Sequence, residues 1–164
     1  MKLFLVRHAD ADAEIPEGLG DEGRALTAKA RQAILAHFQS LAKRMADTHL
    51  ILTSPLVRTV QTAQILSHAL RHKGFLRAHR SLLPDMPVGS LESLLTEHPG
   101  ENIIVVGHQP SMGAAAAHLL GLQSFPKPVQ PGTVIGLEKS PDTAVCQFLF
   151  YAAPGQTVID AIEP

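Results

Sequence analysis

The chain has 164 residues, 45% of them hydrophobic, and a formal net charge of −1, which fits one hydrophobic core and predicts a single domain over residues 1–164. Lys and Arg number 14 against 15 Asp and Glu, and no basic run is interleaved with aromatics, so the composition argues against nucleic-acid and anionic-membrane partners. The one cysteine, Cys146, rules out an intramolecular disulfide, and the absence of any long apolar stretch leaves a cytoplasmic protein as the expectation.

Leu3 to Val6 is a short, continuously apolar run, the pattern of a strand buried on both faces. Residues 10–24, rich in Asp, Glu, Gly and Pro, read as a polar loop. A helix follows, with Thr27 as N-cap and Leu26, Ala30, Ile34, Leu41 and Met45 near one stripe. Leu50 to Leu52 is the second buried strand. It runs into Ser54-Pro55, read as the N-cap and first position of a helix carrying Val57, Val60, Ile65, Leu66 and Ala69. Leu76 to Leu83 holds a further short strand, Pro84-Asp85-Met86-Pro87 is a loop, and a short helix is expected near Leu91 to Leu95. Ile103 to Val106 is the third clear buried strand, and Pro110-Ser111 open an alanine-rich helix through Leu120. Thr133 to Glu138 and Val145 to Tyr151 read as an antiparallel hairpin. This order predicts an α/β fold with a mostly parallel central sheet and an antiparallel edge.

The polar residues fall where function is expected. Arg7-His8 ends the first strand, Ser54-Pro55 with Arg58 follows the second, and Gly107-His108 ends the third. Parallel strands point their carboxyl ends the same way, and ligands of open α/β sheets bind there. Two arginines and two histidines converging in an apolar core would repel and desolvate badly. A bound oxyanion removes that objection, because arginine presents a planar fork of donors matched to phosphate. The residues alone therefore indicate a phosphate pocket containing two imidazoles.

Leu5-Val6-Arg7-His8-Ala9, the run from Ser54-Pro55 through Arg58 to Thr62-Ala63, and Val106-Gly107-His108-Gln109-Pro110 closely resemble the signatures of the histidine phosphatase superfamily, which includes the cofactor-dependent phosphoglycerate mutases. Leu26-Thr27 with Gln32 resembles its first-helix motif. The resemblance implies a three-layer α/β/α, phosphoglycerate mutase-like fold. It implies that His8 is the nucleophile, and that Arg7, Arg58 and His108 hold the transferring phosphoryl group. A neutral imidazole can attack phosphorus through one nitrogen while an acceptor fixes the other N–H, so no metal or other cofactor is required in principle. Ala9 and Ala30 depart from the family by replacing common glycines, the first with an expected slight crowding of the pocket rim.

Larger members carry a general-acid glutamate on a long insertion between the second and third motifs. Here Arg58 and His108 are 50 positions apart (108 − 58), leaving no room for a large cap, and Asp85 is the nearest candidate acid. A shallow site suits a phosphorylated protein such as a histidine-containing phosphotransfer domain, as for the SixA-type phosphohistidine phosphatases that the chain resembles in length. Alternatives are a phosphatase for a small phosphate ester, a phosphate-binding module without turnover, and a mutase, the last disfavoured by the missing cap. Asp10-Ala11-Asp12 invites comparison with Mg²⁺-dependent aspartate phosphatases, but lies beyond Arg7-His8-Ala9 and lacks their following residues. Cys146 lacks a downstream arginine at phosphate-loop spacing, and His68 and His72 lack the glutamate of a zinc hydrolase between them. Glu17, Asp21 and Arg24 read as a solvated loop, with a position bordering the site as the alternative.

Overall fold

The computed structural model describes residues 1–163. Strands β1 (Lys2–Arg7), β2 (Leu50–Thr53), β3 (Phe75–Ala78), β4 (Ile103–Gly107), β5 (Val134–Glu138) and β6 (Gln147–Ala152) form one sheet in the order β3-β2-β4-β1-β5-β6. The first four pair in parallel, while β5 runs antiparallel to β1 and to β6. Helices α1 (Ala28–Ser40), α2 (Val57–Leu70), α3 (Val88–Thr96) and α4 (Ser111–Leu120) complete the fold.

The apolar runs of the central strands are buried on both faces because alternate side chains feed two cores. Leu3, Leu5, Leu52, Ile103 and Val105 pack with Leu91 and Leu94 of α3 and Met112, Ala115 and Ala116 of α4. Phe4, Val6, Ile51, Ile104 and Val106 pack on the other face with Ile34 and Phe38 of α1 and Ala63 and Leu66 of α2. The fold is thus the expected three-layer α/β/α sandwich with an antiparallel edge. Neighbouring β1 and β4 lead into helices on opposite faces, α1 and α4, so a crevice opens between their carboxyl ends. His8 and His108 stand at that crevice.

Several elements differ locally from what the sequence pattern predicts. Thr27 does cap α1, accepting from Ala30 N–H, but the helix stops at Ser40, and Leu41 and Met45 reach the core from the turns that follow. Helix α2 begins at Val57 rather than at Pro55, with Leu56 at the N-cap. Ser54 is not a cap: its carbonyl accepts from Thr59 Oγ1, and its N–H donates to Val106 O, extending the β2–β4 ladder. Strand β6 starts at Gln147, leaving Val145 exposed and Cys146 buried just ahead of it. Arg71 ends α2 in the left-handed conformation, so His72 lies outside the helix that carries His68.

The end of β1 is seated by the turn at Gln130 to Thr133. Gly132 N–H donates to Arg7 O and His8 O, both at 3.1 Å, and Arg7 N–H donates to Thr133 O. Gly132 has φ +82°, and an added Cβ would overlap the Ile34 side chain and stand 2.9 Å from Pro154 Cγ. Gly132→Ala combines left-handed strain with overpacking. The expected loss is about 2–3 kcal/mol in urea unfolding; a change under about 0.5 kcal/mol would contradict this account of the turn.

Candidate active site

Backbone pairing levels the three strand ends. Arg7 pairs with Gly107 and Thr53 with Val106, and the ladder continues one residue further, as His8 N–H donates to Gly107 O and Ser54 N–H to Val106 O, each at 3.0 Å. The His8 and His108 rings meet edge to face with centroids 5.3 Å apart. His108 is 3% exposed and Arg58 7%, so both sit at the floor of the site.

His8 Nδ1 lies 2.6 Å from the carbonyl oxygen of Ala9. A carbonyl only accepts, so Nδ1 carries the proton and Nε2 keeps its lone pair. Arg7 donates from Nη1 to Val129 O at 2.9 Å, while its buried Nε has no partner among the described residues. An unpaired buried guanidinium N–H costs free energy.

The loop of residues 10–24 folds back over Arg58. Asp21 accepts from Arg58 twice, through its carbonyl from Nη1 and through Oδ2 from Nη2, both at 3.1 Å. Asp21 Oδ1 takes Arg24 Nη1 at 3.0 Å, and Arg24 Nε donates to Asp12 O. The bond from Arg24, with help from Arg58, holds the Asp21 carboxyl below its ordinary value. Asp21 and Arg24 therefore border the site, which the sequence offered only as the lesser alternative; Glu17 remains an exposed loop residue. Ser54 was missed as a site residue, and its Oγ lies 2.8 Å from His108 Nε2.

Burial holds His8 down to about 4; Arg58, Arg7 and Arg24 add to the shift and the bond to Ala9 O opposes it. Burial likewise takes His108 to about 3, with His8 and Arg58 contributing. Both rings are neutral at physiological pH. An unfolded chain protonates each near pH 6.5, roughly the free-imidazole value. As pH falls from there toward 4 and 3, the unfolded state binds more protons than the native one, so stability declines across that window. A bound oxyanion reverses the surrounding field and raises both values. Proton NMR should find both rings uncharged at about pH 5.5, with an upward shift of about one unit or more in tungstate. Ordinary titration near 6.5 in the anion-free protein would contradict the burial argument.

Asp85 occupies the loop after β3 with φ +65°, exposed, and no hydrogen bond or ion pair among the described residues joins it to the four strand-end side chains. Ala9 is 2% exposed and faces the α1–α2 core instead of crowding the rim; it lines one recess with Ala30, so the two departures from glycine are neighbours. Its N–H donates to Thr62 Oγ1, which donates in turn to Arg58 O. Burial pushes the Cys146 thiol up, the opposite of what a thiolate nucleophile requires. No helix among the described residues is long and apolar enough to cross a membrane.

An α/β sandwich with cations and two imidazoles at its strand carboxyl ends defines a class of oxyanion-binding folds. The sequence model of the histidine phosphatase superfamily (branch 1) matches residues 3–81, which include Arg7, His8 and Arg58. A relative of undescribed function from Picosynechococcus sp. is 32% identical over 145 residues, covering 84% of each chain. The fold is similar to the protein histidine phosphatase SixA complexed with tungstate, with TM-score 0.81 and 21% identity over 94% of this chain and 97% of that one. SixA from Agrobacterium tumefaciens gives 0.79 and 22% over 93% and 97%. A mycobacterial glucosyl-3-phosphoglycerate phosphatase in complex with VO3 gives 0.66 and 16% over 90% and 96%. The chain belongs to the histidine phosphatase superfamily, and family and fold together support a phosphatase.

Proposed function

We propose that the protein is a metal-independent phosphatase that removes phosphoryl groups from phosphohistidine on another protein, through a phosphoenzyme on His8. The observation that carries this reading is the bond from His8 Nδ1 to Ala9 O, which leaves Nε2 unprotonated beside three cation-bearing or donor side chains. With the other nitrogen of the substrate ring carrying a proton taken from solvent, the Nε2 lone pair of His8 attacks phosphorus as the substrate's P–N bond breaks, and the ring departs as neutral imidazole with the bond's electron pair on the freed nitrogen. Water then attacks the His8-bound phosphorus, releasing inorganic phosphate and restoring the ring. Arg7 and Arg58 stabilise the equatorial oxygens throughout, the part a metal ion plays elsewhere.

Two features support a protein-borne substrate. The segment between α2 and β4 goes into β3, a short 3₁₀ turn and α3, whose Leu91 and Leu94 join the core beneath α4. The loop of residues 10–24 carries six carboxylates against Arg24 and exposes Ile15 and Leu19, each about half accessible. Such a rim repels a polyanionic metabolite and receives a basic, partly apolar polypeptide. A small phosphate ester is the second reading, favoured by a recess of about 480 Å³ lined by Gln109, Phe125, Lys127 and Val129 beside Arg7. Ranking kcat/KM for a phosphorylated histidine-containing phosphotransfer domain, phosphoserine and phosphotyrosine peptides and sugar phosphates decides between them. Preference for the phosphotransfer domain supports the proposal, and preference for a sugar phosphate overturns it.

Asp85 is proposed as the general acid for poor leaving groups. Imidazole leaves with little acid help because it is a far weaker base than an alkoxide. Asp85→Asn should lower kcat on alkyl phosphates about 10²-fold and leave phosphohistidine within about twofold. Equal indifference to both substrates would remove Asp85 from the mechanism.

A further inference from the structure

Ser54 is fully buried between the end of β2 and His108. Its backbone groups are engaged, N–H with Val106 O and carbonyl with Thr53 Oγ1 and Thr59 Oγ1. Its hydroxyl has two neighbours: Leu56 N–H, a long donor at 3.4 Å, and His108 Nε2 at 2.8 Å. A serine hydroxyl accepts at its lone pairs and has one proton to give. Among the described residues, His108 Nε2 is the only group in reach that can accept that proton.

We propose that Ser54 is a positioning residue: its hydroxyl donates to His108 Nε2 and thereby fixes His108 as an uncharged Nδ1–H donor toward a phosphoryl group on His8. An imidazole that accepts at one nitrogen while neutral carries its proton on the other. The reverse arrangement, Nε2–H donating to Ser54, leaves a buried hydroxyl proton without an acceptor. It also turns the bare Nδ1 lone pair toward an oxyanion. Both are unfavourable. The low proton affinity of buried His108 means that it cannot donate through Nδ1 by becoming charged at neutral pH, so the tautomer decides whether it helps or repels. An N–H oriented before the reaction needs no rearrangement as charge builds on the phosphoryl oxygens. The tautomer assignment stands on the serine alone; its catalytic use rests on the phosphatase reading above.

Nitrogen-15 NMR of the full chain with labelled histidine, near pH 7, should find His108 protonated at Nδ1 and bare at Nε2. Ser54→Ala should lose that bias and cut kcat for p-nitrophenyl phosphate about tenfold with KM changed less than about twofold. Ser54→Thr, which keeps the hydroxyl, should restore most of the rate and the tautomer. A wild-type His108 protonated at Nε2 overturns the proposal, as does an Ser54→Ala protein with unaltered tautomer and kcat. Should Ser54→Ala fail to fold, the wild-type spectrum decides by itself. An Nδ1–H His108 in a protein that hydrolyses none of the phosphate substrates overturns the phosphatase reading and leaves the hold of Ser54 on the ring intact.

Discussion

His8→Ala should abolish phosphoenzyme formation and lower kcat on the order of 10⁴-fold or more while leaving the fold intact. The ring makes one side-chain hydrogen bond, to the carbonyl of its own neighbour Ala9, so its removal strands no distant partner. Loss of a buried neutral imidazole also removes one contribution to acid sensitivity. Between pH 6.5 and about 4 the wild-type native state resists protonating His8 and the unfolded chain does not, so wild-type stability falls there. The alanine variant should show a shallower decline over the same range, measured by urea unfolding at several pH values. A variant that retains more than about 1% of wild-type kcat would contradict a nucleophile at position 8.

Arg58→Ala should cost about 10³-fold in kcat/KM with little loss of stability. Arg58 is nearly buried, yet the carboxylate it holds, Asp21, is more than half exposed. Removing the arginine therefore leaves a solvated carboxylate still paired to Arg24 rather than an orphaned buried charge, and exposed pairs contribute under about 1 kcal/mol. Arg58→Lys should recover only a small part of the activity, because an ammonium cannot offer Asp21 two Nη donors and still address phosphate. Steady-state kinetics beside a thermal melt separates the outcomes. A large fall in melting temperature with unchanged kcat/KM in the folded fraction would make Arg58 a structural residue instead.

What the sequence revealed, and what it hid, follows the range of the interactions. Leu3 to Val6, Leu50 to Leu52 and Ile103 to Val106 were readable because a strand buried on both faces must be apolar throughout, a local property. The motif residues that follow these strands were readable for a related reason: Arg7, His8 and His108 at the strand ends and Arg58 in the first turn of α2 have no place in a core unless something converges on them. Ser54 was misread because Ser-Pro is a strong local cap signal, whereas its partners, Val106 and His108, lie more than 50 positions away. Asp21 and Arg24 looked like solvated loop residues for the same reason, since only the folded chain brings them to Arg58. The end of α1 at Ser40 carried no Gly or Pro, and the helical period of Leu41 and Met45 persisted into turns that also reach the core.

Transfer of the phosphoryl group through His8 requires a transient phosphoenzyme on that ring. Rapid quenching during turnover of a ³²P-labelled phosphohistidine protein, followed by peptide mapping, tests it most directly. Label is expected on the peptide containing His8, stable in base, lost in acid, and absent from His8→Ala. Label that survives acid, or that maps to the peptide of Asp10 or Asp12 after subdigestion, would contradict transfer through His8.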